Sequence, residues 1–152
     1  MCGGRCDYNI VRAVGIDVGA RRIGLAISDV TRTLARPLTT IEVSNADEGV
    51  TRVAAEVARL AGEEDGVSAV VVGVPVRLDG SASDETARVM NFIAKLKPRI
   101  AAPVVTADER LTSVEAEQRI AHRTKDWRER KKKLDAAAAA VILQDYLDGG
   151  AA

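Results

Sequence analysis

Residues 15–29, GIDVGARRIGLAISD, decide the fold of this chain, because two apolar segments are joined here by a very short connection. The segments 11–18 and 23–28 are rich in Val, Ile and Ala, and only residues 19–22 separate them. This pattern predicts a hairpin of two buried antiparallel strands. Asp17 lies inside the first strand, where a carboxylate is costly to desolvate unless it is paired or bound to a metal ion. A structural Asp17, satisfied by a hairpin N–H or by Arg22, is the alternative.

The order of the remaining segments predicts an α/β protein with one mixed sheet. Further strands are expected at 38–43, at 67–74 (ended by Pro75) and at 104–107, and helices at 46–63, 84–97, 113–121 and 135–147. The first three strands are joined without helices and should be antiparallel, whereas the later strand–helix–strand units should be parallel. We therefore expect a mixed five-stranded sheet flanked by helices.

The length of 152 residues fits one domain. We expect a flexible tail at 1–11 and a single domain at 12–152. Cys2 and Cys6 both lie in that tail, where two thiols form neither a disulfide framework nor a four-ligand zinc site. We expect two reduced thiols at this end of the chain; the alternative is a redox-accessible pair that cross-links two chains. No apolar run approaches the roughly 20 residues that span a bilayer, so we expect a cytoplasmic protein without a membrane partner.

Charge is balanced over the whole chain but not locally. The 22 Lys and Arg residues equal the 22 Asp and Glu residues, which excludes a globally basic nucleic-acid binder. Residues 122–133, HRTKDWRERKKK, form the one strong basic run. This run is either a solvated face or a segment that binds a phosphate backbone. Trp127 within it either stacks on an unpaired base or anchors the run to the core.

Three acidic positions are candidates for one metal-binding cleft. Asp17 lies in the first strand, and Asp108 and Glu109 end the fifth. Side chains alternate along a strand, so only one of these two shares a face with Asp17, and alternation alone does not choose between them. Asp135 is expected to open the last helix, where by itself it would interact with the helix dipole. Three carboxylates in one cleft would suit Mg²⁺ or Mn²⁺.

Four motifs, in order, resemble those of the YqgF family, also called RuvX, which has a ribonuclease H-like fold. They are residues 15–29, residues 72–75 with 79–81, residues 108–113, and residues 133–137 with 142–144. Together they cover nearly the whole chain after Arg12. The resemblance implies nuclease activity, with catalytic carboxylates at Asp17, Glu109 and Asp135. Two candidate substrates are implied, the precursor 5′ end of small-subunit ribosomal RNA and four-way DNA junctions.

From these carboxylates we expect a two-metal mechanism in which Asp17 bridges two Mg²⁺ or Mn²⁺ ions and Glu109 and Asp135 each complete one coordination sphere. The residues expected to contact nucleic acid are Arg22, Arg110, Trp127, Arg128, Arg130, Lys131, Lys132 and Lys133.

Two other functions remain open at this point. A non-catalytic ribosome- or DNA-binding module could keep the same fold. An actin-like ATPase or sugar kinase would also suit Asp17-Val18-Gly19 in a hairpin, although such enzymes need two domains of this kind. Junction resolution calls for a twofold homodimer with paired sites, whereas an RNA-trimming enzyme could act alone.

Overall fold

The computed structural model describes residues 11–76, 79, 81–110 and 127–150, with the backbone only at 109, 110, 127–133 and 150. Five strands in these ranges form one sheet with the order β3-β2-β1-β4-β5. They are β1 (Arg12–Val18), β2 (Arg22–Ser28), β3 (Ala35–Glu42), β4 (Val67–Val76) and β5 (Val104–Arg110). The β1–β2 and β2–β3 pairs are antiparallel, whereas β1–β4 and β4–β5 are parallel. The predicted α/β class and mixed sheet are confirmed.

Three α-helices in the described ranges cover the two faces of this sheet. They are α1 (Ala46–Ala61), α2 (Asp84–Leu96) and α3 (Trp127–Asp145). The sheet has an apolar core on each face, and successive residues of β1 point into different cores. Val14 packs with α1 and α2, whereas Ala13 packs with α3. Every position of the sheet can therefore be assigned to the α1/α2 face or to the α3 face.

Side-chain caps determine where α1 and α2 begin. Asn45 Oδ1 accepts a hydrogen bond from the Glu48 backbone N–H at 2.8 Å. Ser83 and Thr86 form a reciprocal capping box at the start of α2. These contacts satisfy N–H groups that have no partner within the helix.

The turn between β2 and β3 is organised by Asp29. Its carboxylate accepts hydrogen bonds from Thr31 Oγ1 at 2.7 Å and from the backbone N–H groups of Thr33 and Leu34 at 2.8 and 3.1 Å. These donors, Thr31 first, lower the pKa of Asp29 below its usual value because they stabilise the charged form.

Pro75, which was expected to end a strand, and Pro37, which directly precedes the predicted strand 38–43, both lie within strands. β3 begins at Ala35 and passes through Pro37, which an edge strand tolerates because one side of its ladder has no partner strand in this sheet. β4 continues through Pro75 to Val76. The β1–β4 register ends at Ile16↔Val72, so Pro75 lies where β4 pairs with β5.

The last helix starts earlier than the sequence predicted. α3 begins at Trp127, eight residues before Asp135, so the predicted start at 135 is wrong. Arg, Lys and Glu are good helix formers, and no Gly or Pro interrupts residues 127–145. Asp135 therefore lies in the third turn, and an interaction with the helix N-terminus does not account for it.

Some predictions concern parts of the chain outside the described residues. These are the helix at 113–121, Cys2 and Cys6, and the tail at 1–11 except its last residue. The division into a tail and one domain stays a prediction. Within the described ranges, no helix has the length and apolar character needed to cross a membrane.

Candidate active site

Helix α3 lies very close to the sheet at Gly24 of β2. A Cβ atom built on Gly24 would lie 1.9 Å from the Asp135 carbonyl oxygen and 2.3 Å from its carbon. No side chain fits at that distance, so glycine is required for this approach. The backbone of Asp135 is thereby held directly against the second strand.

Asp17 lies beside the same glycine. In the antiparallel β1–β2 pair Asp17 is the partner of Gly24, and directly opposed residues share a face of the sheet. Gly15, two residues earlier on that face, is also covered by α3, since a Cβ there would lie 2.8 Å from the Ala139 carbonyl oxygen. Asp17 and Asp135 therefore both neighbour Gly24 on the α3 face, and both are partly exposed.

The register of β5 distinguishes Asp108 from Glu109. Ala107 packs in the α3-side core, whereas Asp108 pairs with Val74, which belongs to the α1/α2-side core. By alternation, position 109 lies on the α3 face, opposite Pro75. Because β1 and β5 are both parallel to β4, the end of β5 lies at the same edge of the sheet as Asp17. Backbone geometry thus puts position 109, and not 108, on the face of Asp17.

An ion pair joins the start of β2 to α3. Arg22 Nε donates to Asp135 Oδ2 at 3.0 Å, and the two side chains are 22% and 27% exposed. The contact links residues 113 positions apart in the chain. The sequence predicted that Arg22 binds phosphate or, in the alternative, that it pairs with Asp17. Its partner in the structure is Asp135.

The family assignment comes from comparison with known proteins. A sequence model described as "RuvX: Holliday junction resolvase" matches residues 11–149. The chain belongs to the RuvX family. The resemblance drawn from the four motifs is confirmed.

Curated relatives of this RuvX chain share its length as well as its sequence. A protein of Chloroflexus aggregans is 44% identical over 135 residues, which are 89% of this chain and 92% of the relative. A protein of Thermoanaerobacter pseudethanolicus is 37% identical over 91% of this chain and 96% of its own length. Both carry the name "Putative pre-16S rRNA nuclease". The family description and these names all denote nucleases, in agreement with the activity that the motifs imply.

Solved structures support the fold. The RuvC protein of T. thermophilus, in a complex with a Holliday junction substrate, matches with a TM-score of 0.52 at 19% identity, over 91% of this chain and 94% of that one. A second Thermus thermophilus RuvC structure matches with a TM-score of 0.51 at 17% identity, over 93% and 98%. The RuvX chain thus has the ribonuclease H-like fold that the motifs implied.

The described part of this acidic site fits a hard divalent cation. Two carboxylates, Asp17 and Asp135, flank Gly24, and carboxylate oxygen is the ligand type that Mg²⁺ and Mn²⁺ prefer. The described side chains contain no group of three or more potential metal ligands, and the Glu109 side chain is not among them. A third carboxylate from position 109 would complete such a set on the α3 face.

For most of the residues predicted to contact nucleic acid, the structure describes only the backbone. Arg110 is the last residue of β5, opposite Val76. Trp127, Arg128, Arg130 and Lys131–Lys133 form the first two turns of α3, ahead of Asp135. The described part of the basic run, 127–133, thus belongs to the helix that carries Asp135. Sequence reasoning missed Gly24, whose only signal was a glycine inside an apolar strand.

Proposed function

We propose that this RuvX chain is a divalent-metal-dependent endonuclease that hydrolyses phosphodiester bonds in structured nucleic acid. One observation supports it above others: α3 packs on Gly24, so that Asp135 and Asp17, which are 118 residues apart in sequence, neighbour the same glycine on one face. Two carboxylates on one face of the sheet repel each other, and a cation that both can reach relieves this repulsion. A site that gathers carboxylates in this way is suited to divalent ions.

Asp17, Glu109 and Asp135 would hold two Mg²⁺ or Mn²⁺ ions, with Asp17 shared between them. When bound, the ions supply Lewis acidity for ionising a water and for stabilising the leaving 3′ oxygen. The chain contributes the fixed geometry. Asp17 lies on a strand paired on both sides and Asp135 in a helix that is docked on that strand's partner, so the backbones that carry the two carboxylates are held in place.

The basic turns of α3 would bind the nucleic-acid backbone next to the carboxylates. With a rise of about 1.5 Å per residue, the run 127–133 extends roughly 3–12 Å along the helix axis from Asp135. Positions 131 and 132 share the helix face of Asp135, since they precede it by four and three residues. Arg22 and Arg110 would add phosphate contacts from β2 and β5, and Trp127 would stack on an unpaired base.

Two substrates are candidates, and both would be met in the cytoplasm. The relatives' names point to the precursor of 16S rRNA, whereas the family description and the RuvC complex point to four-way DNA junctions. Incubating one preparation with both substrates, in Mg²⁺ and in Mn²⁺, would decide between them. Sedimentation of the junction complex would show whether a homodimer is the binding unit.

Asp17→Asn is the variant that tests the mechanism. We expect a loss of cleavage of about a hundredfold or more, because a carboxylate shared by both ions is replaced by a neutral amide. Folding, measured by the urea midpoint, and substrate binding, measured by filter retention, should persist. Undiminished Mn²⁺-dependent cleavage by this variant would refute the carboxylate mechanism. Tight, salt-sensitive binding by the native chain with no cleavage in either metal would identify a binding module instead.

A further inference from the structure

The ion pair between Arg22 and Asp135 is not explained by the proposed function. Arg22 Nε donates to Asp135 Oδ2, an oxygen of a carboxylate proposed to hold a divalent ion. A guanidinium and a divalent cation repel each other, so they compete for such a carboxylate. We infer that Arg22 is a built-in counter-cation, which holds Asp135 in the metal-free protein and is displaced from it when a divalent ion binds. This inference rests on the proposed function and adds a positioning residue to the same site.

The geometry of the pair makes it displaceable. The contact is one N–H···O bond through Nε rather than a bidentate fork, and both side chains are about a quarter exposed. Ion pairs with this much exposure to solvent contribute little to stability. A divalent ion carries twice the charge and would also draw on Asp17, so it competes well for the oxygen. In the metal-free protein this bond directs Asp135 Oδ2 towards the start of β2.

The displaced guanidinium would have an acceptor close by. Arg22 is the first residue of β2, so its backbone stays at the rim of the acidic site whether or not the side chain moves. Among the described residues, its guanidinium makes one hydrogen bond, to Asp135. Once released, its planar N–H groups match the oxygens of a nucleic-acid phosphate. Metal binding and phosphate binding would then be coupled through one side chain, each favouring the other.

Calorimetric titration of Mn²⁺ into the protein, without nucleic acid, tests the competition. We expect Arg22→Gln to bind Mn²⁺ about three- to tenfold more tightly than the native chain, because the Arg22 guanidinium no longer competes for the Asp135 carboxylate. Arg21→Gln is the matched control: it removes the same charge from the adjacent, exposed residue. We expect this control to change the affinity by less than about twofold. Equal tightening in both variants would reduce the effect to general electrostatics and overturn the inference.

A measurement on the unmodified chain tests the displacement itself. The ¹⁵Nε–¹H signal of Arg22 should be protected from exchange with water in the metal-free protein. It should shift and lose that protection as Mg²⁺ is added. A signal that is unchanged at saturating Mg²⁺ would overturn the inference and leave the proposed function intact. If neither the native chain nor the variants bind Mn²⁺, the metal-dependent function fails as well, so the two failures are distinguishable.

Discussion

At the scale of the single residue, the candidate site depends on glycines, which have no side chain, as much as on its acidic residues. Gly24 and Gly15 let the backbone of α3 approach β2 and β1 within distances that no Cβ would allow. Asp135 can neighbour Asp17 only because this gap exists. The glycines are therefore as necessary to the acidic site as the carboxylates, although they bind nothing.

Gly24→Ala should separate the carboxylates. Its Cβ would overlap the Asp135 carbonyl, which is backbone and cannot rotate away, so α3 has to shift. We expect a loss of about 1–3 kcal/mol in the free energy of unfolding, measured with urea, together with weaker Mn²⁺ binding. Gly62→Ala is the control, because its φ of −79° suits alanine and its Cβ would meet neighbours at ordinary distances of 3.5 and 3.6 Å. Equal stability of the two variants would contradict the proposed role of Gly24.

At the scale of the element, α3 is the part of the fold that assembles the site. Its inner side packs on β1 and β2 through small and branched residues, among them Ala139 and Leu143. Near the C-terminal end of α3, Gln144 makes two hydrogen bonds to the chain around the start of β3. Its Oε1 accepts from the Ala35 N–H at 2.8 Å, and its Nε2 donates to the Thr33 carbonyl at 2.9 Å. Packing and these polar contacts together determine which turn of α3 lies over Gly24.

Gln144→Ala should loosen this attachment. The half-buried Ala35 N–H loses its partner, whereas the exposed Thr33 carbonyl can bond to water instead, so the loss should be about 0.5–1.5 kcal/mol, the net contribution of one hydrogen bond. We expect that loss in urea unfolding, together with faster amide exchange in β3. Val141→Ala, on the same helix at a side chain that is 69% exposed, should be nearly neutral. A neutral Gln144→Ala would show that apolar packing alone sets the position of α3.

At the scale of the whole molecule, the charge distribution matters more than the net charge. The chain as a whole is neutral, so attraction to a polyanion has to come from a local surface. The basic turns of α3 belong to the α3 side of the sheet, the same side as the acidic site. A nucleic acid that contacts these turns would thus be brought over the carboxylates.

Replacing Lys131–Lys133 with Gln should weaken nucleic-acid binding and its salt dependence. Each phosphate contact on duplex DNA contributes about 0.9 to the slope of log affinity against log salt, so the slope should fall by up to roughly 3. The control removes three charges from the α1/α2 side, at Arg36, Arg88 and Lys97, all exposed. Fluorescence anisotropy over a range of KCl concentrations measures the affinity and its salt dependence for the variant and for the control. An equal loss in the control would contradict the placement of the interface on α3.

Local pattern was enough to predict most of the fold. The hairpin of β1 and β2, the buried β4 and the helices α1 and α2 follow from short-range periodicity and caps, which act within a few residues. The predicted bounds were wrong where context overrides local preference. Pro37 and Pro75 are tolerated because of where they lie in the sheet. Residues 127–133, which were predicted to be part of a connector, form the start of α3.

The sequence by itself determined the α/β class, the strand directions, the RuvX family and the three acidic candidates, since motifs and apolar spacing are local properties of a chain. The resemblance implied Glu109, and the tertiary structure supplies the physical reason, because strand register puts position 109 rather than 108 on the face of Asp17. Only the tertiary structure decided that Asp135 approaches through Gly24 and that Arg22 pairs with Asp135. These facts depend on strand register and on how a helix packs across a sheet. Both are set by contacts between residues far apart in the chain, which no local pattern encodes.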